Sequence, residues 1–293
     1  MRPCPPLTPP SESAVLVSAC VGPDQEACCL WASNDIPGPR SHKGAPGLIT
    51  QQDDAGTVCR TLQLSKPLPA SARAQPHPLG WIVIGSRCSR GEHNLLVFNG
   101  GGQCIGADRV GDGIEDFSVT HAGDLWVSYF DEGVFGDDAV AAAGCVRWRL
   151  DADAHGNHSV TPAWRLDYKD MADCYAMNVT DQATYVCPYV GFPIIVMLND
   201  RSTILPSEAA GPRALVTDGY RMAVIGSYSK LGSVMLGTLE HDRFRKVGIT
   251  KYEVPGVNLR DVTVTGRGDH LHGFSQDGRW WSTTLDELWG PLP

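Results

Sequence analysis

Basic residues are in short supply. Lysine and arginine number 24 against 33 aspartates and glutamates, which leaves a net charge of −9 at pH 7. A nucleic-acid binder needs a basic stripe to neutralise phosphates, and an anionic membrane recruits polybasic segments. Neither partner is expected here, and the charge serves first of all solubility. Long apolar runs are also missing. Val15 to Val21 is too short to span a bilayer. The opening Met-Arg-Pro-Cys-Pro-Pro lacks a charged stretch followed by a long apolar one. The expectation is a cytoplasmic protein, acting as a monomer.

Cysteine is plentiful, but its useful spacings are absent. There are ten cysteines, none of them in a Cys-x-x-Cys or zinc-finger arrangement, and Cys28-Cys29 is a vicinal pair. A chain of 293 residues needs no staples, so they are read as reduced thiols, mostly small core residues. The usual catalytic signatures are missing too. There is no Gly-x-Ser-x-Gly elbow and no Gly-x-x-x-x-Gly-Lys phosphate loop. Asn99-Gly-Gly-Gly-Gln103 lacks dinucleotide spacing and reads as a hairpin turn.

What the chain does have is turns. Its 32 glycines and 21 prolines imply many of them and few long helices. Residues 1–12 are Pro-rich and read as a disordered tail, and Asn34 to Gly56 as a loop insertion. From about residue 68 a unit recurs: an apolar strand, a short turn, then a second strand carrying an aromatic. It is seen in Glu115–Thr120 with Leu125–Phe130, and in Asp173–Val179 with Ala183–Tyr189. Further copies are Arg213–Thr217 with Tyr220–Ile225, Asp261–Thr265 with His270–Phe274, and Ala72–Gln75 with Trp81–Gly85. Third strands follow, and fourth strands are expected at Gln103–Arg109, Val160–Leu166 and Arg243–Ile249. A lone four-stranded sheet cannot bury both faces, whereas sheets stacked around an axis can. The expected fold is therefore all-β: a β-propeller of about five to six blades, mostly four-stranded and antiparallel, forming one domain over residues 13–293. A two-sheet sandwich is the rival.

Gly111-Asp-Gly-Ile-Glu-Asp116, together with Trp126-Val-Ser-Tyr-Phe-Asp-Glu-Gly-Val-Phe-Gly136, resembles a group of uncharacterised bacterial propeller-like proteins common in actinobacteria. Asp173–Val179, Phe192–Val196 and Arg87-Cys88 with Asn94–Val97 look like the same group. The resemblance covers roughly residues 68–280. It implies the fold and assigns no activity.

In a propeller the start of a blade's first strand and the end of its second share one face. That places Glu115, Asp116, Asp131 and Glu132 together and brings Asp173 beside them, with Asp261 two blades on. Tyr129, Tyr175, Tyr189 and Asn178 are near in sequence. Such an acidic rim could hold a divalent cation, calcium or magnesium, through Asp116, Asp173, Asn178 and Asp261. Glu115, Asp131 and Glu132 are the candidate general bases. The plainer alternative is that each Asp accepts backbone N–H groups and locks one blade to the next. Arg213 and Arg260 mix the charge signs and suit an anionic or peptide ligand. His155 and His158 read as exposed turn residues. His270 and His272 share one side of a strand, facing either the channel or the blade interior. The tryptophans read as aromatic core between blades.

Two functions follow. One is a binding or scaffold module for a small-molecule ligand or a protein, the acidic balance suiting a basic partner. The alternative is a metal-dependent hydrolase (lactonase- or esterase-like) or lyase at the channel mouth. Its layout would be similar to the regucalcin-type lactonases, an analogy of fold alone.

Overall fold

The computed structural model describes residues 1–33, 42–152 and 158–290. Strands dominate. The chain begins with the two-residue β1 (Arg2–Pro3). A first sheet follows, made of β2 (Ala14–Val21), β3 (Ala27–Ser33), β4 (Gly47–Gln52) and β5 (Val58–Gln63). The second sheet is β6 (Ala72–His77), β7 (Gly80–Gly85), β8 (Leu95–Asn99) and β9 (Cys104–Asp108). The third is β10 (Ile114–Val119), β11 (Leu125–Tyr129), β12 (Cys145–Ala152) and β13 (His158–Arg165), with a one-turn helix α1 (Asp131–Val134) after β11. One parallel pair, His158 with Gly106, joins β13 to β9. A Cβ on Gly106 would lie 2.3 Å from the His158 carbonyl oxygen, so only glycine permits this approach.

The fourth sheet is β14 (Cys174–Val179), β15 (Thr184–Pro188), β16 (Ile194–Leu198) and β17 (Arg201–Leu205). The fifth is β18 (Ala214–Thr217), β19 (Arg221–Ile225), β20 (Ser233–Leu239) and β21 (Phe244–Lys251). The sixth contains β22 (Val262–Arg267), β23 (His270–Ser275) and β24 (Trp280–Thr284), followed by a short helix α2 (Leu285–Trp289). Its outer strand is β1, which pairs antiparallel with β24.

The chain forms two compact units, Pro5–Arg165 and Met1–Cys4 with Leu166–Pro293. Each contains three four-stranded sheets, taking the joined second and third separately. Apolar side chains from neighbouring sheets form the cores. Leu30, Ile49, Ala74, Trp81 and Val83 pack together in the first unit. Tyr185, Ile194, Leu205, Leu215 and Phe244 do so in the second, as do Val216, Leu236, Val264 and Trp281.

The structure departs from the sequence expectations at the N-terminal end. Residues 1–12, expected as a disordered tail, supply β1 and the buried Leu7. Gln52 ties this segment down, donating to the Pro6 carbonyl at 2.9 Å and accepting from Thr8 N at 2.9 Å. The expected loop insertion, residues 34–56, contains β4; residues 34–41 lie outside the described residues. β4 escapes a reading by hydropathy because its buried positions include Thr50 and Gln52. His155 also falls outside the described residues, whereas His158 begins β13. His272 is interior: it is buried, stacks on Phe274 and Trp280, and accepts a hydrogen bond from Trp280 Nε1 at 3.2 Å.

Candidate functional site

Antiparallel order places the start of each sheet's first strand and the end of its second at one end, as the register Cys174 opposite Pro188 shows. The loops there hold most of the sequence-predicted residues.

In the Pro5–Arg165 unit Asp116 and Glu132 pair with arginines. A bulge between Ile114 and Asp116 turns Asp116 so that its N donates to Ser128 Oγ at 3.1 Å. Its Oδ1 accepts from Phe117 N at 2.8 Å and pairs with Arg73 at 3.2 Å. Glu115 has an exposed side chain, while its carbonyl accepts from Arg73. Asp131 opens α1 and accepts from Glu132 N at 2.7 Å. Glu132 pairs with Arg87, which also reaches Asp112 at 3.2 Å.

Glu132 and Asp112 border a cavity of about 320 Å³ lined also by Cys88, Arg90, Arg109 and Asp138, among others. Arg109 donates to Asp138 at 2.5 Å, to Cys88 Sγ at 2.8 Å and to Ser89 O at 2.7 Å. Burial pushes the Cys88 thiol up to about 11, against the opposing pull of Arg109. It is therefore a thiol and not a thiolate near neutrality, and no ready nucleophile. Asp112, Glu132 and Asp138 are each paired with a guanidinium group, which makes this a structural network.

In the second unit the proposed cation ligands separate. Asp173 precedes β14, and its carbonyl accepts from Tyr189 N at 2.8 Å. Asn178 stands near the far end of the same strand, about 16 Å away at 3.3 Å per residue. It is buried, and its amide is fully used. Nδ2 donates to Leu215 O at 2.7 Å and to Gly268 O at 2.9 Å, while Oδ1 accepts from Gly268 N at 3.0 Å. Asn178 is therefore a clamp between sheets and not a ligand. Asp261 ends a 3-10 turn, exposed, just before β22. Among the described residues no three His, Cys, Asp or Glu side chains gather closely enough to hold a metal ion.

Arginines share the sheet-locking role expected of aspartates, which Asp108 fills by accepting from Val160 N at 2.9 Å. Arg73 reaches from β6 to the Ile114 carbonyl at 3.3 Å and to Glu115 O. Arg213, just before β18, reaches the Leu259 carbonyl at 3.0 Å and Val262 O. Each bridges one sheet's inner strand to the entry of the next.

The same end of the fourth and fifth sheets carries an aromatic cluster. Tyr175 and Phe192 lie parallel, 5.5 Å apart between centroids and 9° between planes. Tyr189 meets both edge-on at 5.6 Å. Tyr228 meets them at 6.0 and 5.7 Å. The Tyr175 and Tyr228 hydroxyls share a hydrogen bond at 3.0 Å, and that bond, together with burial, raises the Tyr175 pKa.

The rings are packed but open to solvent. Tyr189 is 46% exposed, Val190 43% and Tyr228 60%. Phe192 sits in the left-handed region at φ +46°, a strained conformation for a bulky residue. Its carbonyl is held by Ser207 Oγ at 2.6 Å and by the Cys187 thiol at 3.4 Å. Gly211 lies under Tyr228, where a Cβ would approach the ring to 2.7 Å. Tyr175 and Tyr189 stand out in sequence. Phe192 and Tyr228 do not, because the loops that bring them in are remote from each other in the chain.

No family model matches this chain, and no curated relative matches it. Solved structures do resemble it. Virginiamycin B lyase from Staphylococcus aureus matches with a TM-score of 0.51 at 13% identity, over 94% of this chain and 82% of that one. The β-propeller domain of Swd1 from Myceliophteria thermophila gives 0.49 at 8% identity, over 94% and 98%. An aldose sugar dehydrogenase from Streptomyces coelicolor in its PQQ-bound form gives 0.48 at 10%, over 94% and 95%. At these identities the likeness shows the fold alone. The chain is an all-β protein of the β-propeller class, built from four-stranded antiparallel sheets.

Proposed function

We propose that this protein is a β-propeller binding module whose aromatic cluster receives basic side chains of a protein partner. The observation that carries the reading is the exposed Tyr189–Phe192–Tyr228 surface, held open on a strained backbone. Taking a solvent-facing ring cluster out of water is favourable, so such a surface suits a partner that covers it. Tyrosine faces attract guanidinium and ammonium groups. Asp173 bears electrostatically on Tyr175, and Asp170 on the neighbouring Tyr168. The net charge of −9 favours cationic partners at longer range and disfavours nucleic acid and anionic membranes. The proposal sets the protein in the cytoplasm as a monomer, its ten cysteines reduced.

The test is fluorescence polarisation with a library of arginine- and lysine-containing peptides against wild type and Tyr189→Ala/Tyr228→Ala. The expected result is salt-sensitive binding that weakens about tenfold or more in the double variant, the loss of one to two kcal/mol that such contacts carry. Failure of every basic peptide to bind, or equal binding by the variant, overturns the reading.

A further inference from the structure

The fourth and fifth sheets share an apolar core through Ile194, Leu205, Leu215 and Phe244. Towards their outer strands the packing opens into a cleft of about 670 Å³. The register explains its wall. Val196 faces Thr203, and Leu198 faces Arg201, across the β16–β17 hairpin. Side chains two apart point to one side, so Val196, Leu198, Thr203 and Leu205 line one face. Leu239, from the end of β20, closes the other side. Thr203 and Gly219 are small where bulkier residues would fill the wedge.

The polar groups sit at the mouth. Glu240 is already engaged by Arg243 and Arg245. Arg201 is exposed at the hairpin tip, and among the described residues its guanidinium has no ion-pair or hydrogen-bond partner. His241 stands across the mouth. An apolar trough of this volume with one unengaged guanidinium has the anatomy of a small-ligand site.

We propose that this cleft binds an amphipathic carboxylate: an aliphatic body against Val196, Leu198, Leu205 and Leu239, with its carboxylate on Arg201. Arginine offers a forked donor pair that matches a carboxylate and cannot lose its charge at neutral pH. The cleft and the aromatic cluster use different residues, so either proposal can fail while the other stands.

The experiment is calorimetric titration of the full chain with decanoate below its micelle concentration, with acetate and 1-decanol as comparators. Arg201→Gln removes the charge and Thr203→Phe fills the trough. Both positions are exposed, and unchanged melting curves confirm that the variants fold. The expected result is decanoate binding that weakens at least tenfold in Arg201→Gln and disappears in Thr203→Phe, with 1-decanol indifferent to Arg201→Gln and acetate much the weaker ligand. Absence of decanoate binding overturns the proposal. So does binding that survives Thr203→Phe, and so does binding indifferent to Arg201→Gln.

Discussion

Asn178 grips Gly268 through both ends of its side-chain amide, donating to the carbonyl at 2.9 Å and accepting from the N–H at 3.0 Å. The remaining amide proton goes to Leu215 O at 2.7 Å. One buried side chain of β14 thereby joins the fourth, fifth and sixth sheets. Gly266 completes the close approach: a Cβ there would lie 1.7 Å from Leu215 O.

Asn178→Ala should therefore be among the most damaging single changes in its unit. It strands three backbone groups in a buried setting, and a loss of roughly 3 kcal/mol follows, read from urea unfolding. Asn178→Asp should cost more, since it turns a carboxylate on two carbonyl oxygens. Calcium or magnesium should leave the wild-type melting temperature unchanged. A rise in wild type that Asn178→Ala abolishes would restore the metal-ligand role.

Arg213→Met and Arg73→Met should each lose about 1 to 3 kcal/mol, because each removes charged donors from backbone carbonyls of the next sheet while keeping an aliphatic stem. Asp116→Asn should cost under about 1 kcal/mol, since its ion pair with Arg73 is partly exposed, at 27% and 32%. If the aspartate variant proved the more damaging, the lock would lie with the carboxylate. Thermal melts of the three variants decide it.

His272 makes stability fall in acid. Burial, with the neighbouring His270 adding to it, lowers its pKa from 6.5 to about 3 in the folded chain. Above pH 6.5 both folded and unfolded chains hold it neutral, and it contributes nothing to the pH dependence. Below 6.5 the unfolded chain takes up a proton that the folded chain refuses until about pH 3, so stability declines through that window. The slope is at most about 1.4 kcal/mol per pH unit. His272→Gln, which keeps an acceptor for Trp280, should flatten that slope. An unchanged acid profile from urea titrations at pH 4 to 7 would count against it.

The sheets were legible because their strands alternate or run apolar with turn residues between. The expected fourth strands match β9, β13 and β21 to within a few residues. β17, with four of its five residues exposed, and β4, with its buried Thr50 and Gln52, carry weak hydropathic signals. The carboxylates stood out because they recur at strand entries. Sequence position does not say which side chain neutralises them, and Arg73, Arg87, Arg109 and Arg213 lie as many as 49 residues from the groups they bind. Asn178 shows the same limit, for its partners Leu215 and Gly268 lie 37 and 90 residues away.

The pairing of Arg2 with Ser282 and Pro3 with Trp281 sets an order of events during synthesis. A ribosome delivers residues in sequence, and most sheets here find their strands within one short stretch of chain. The sixth sheet cannot. Its outer strand, β1, lies far ahead of β24 in the chain and must wait, unpaired, until β24 has left the exit tunnel. Until β1 docks, β24 presents an open edge, the kind of surface on which nascent chains cross-pair. Chaperone demand during expression should therefore peak as β22 to β24 appear, and should fall once those two residues have found their place.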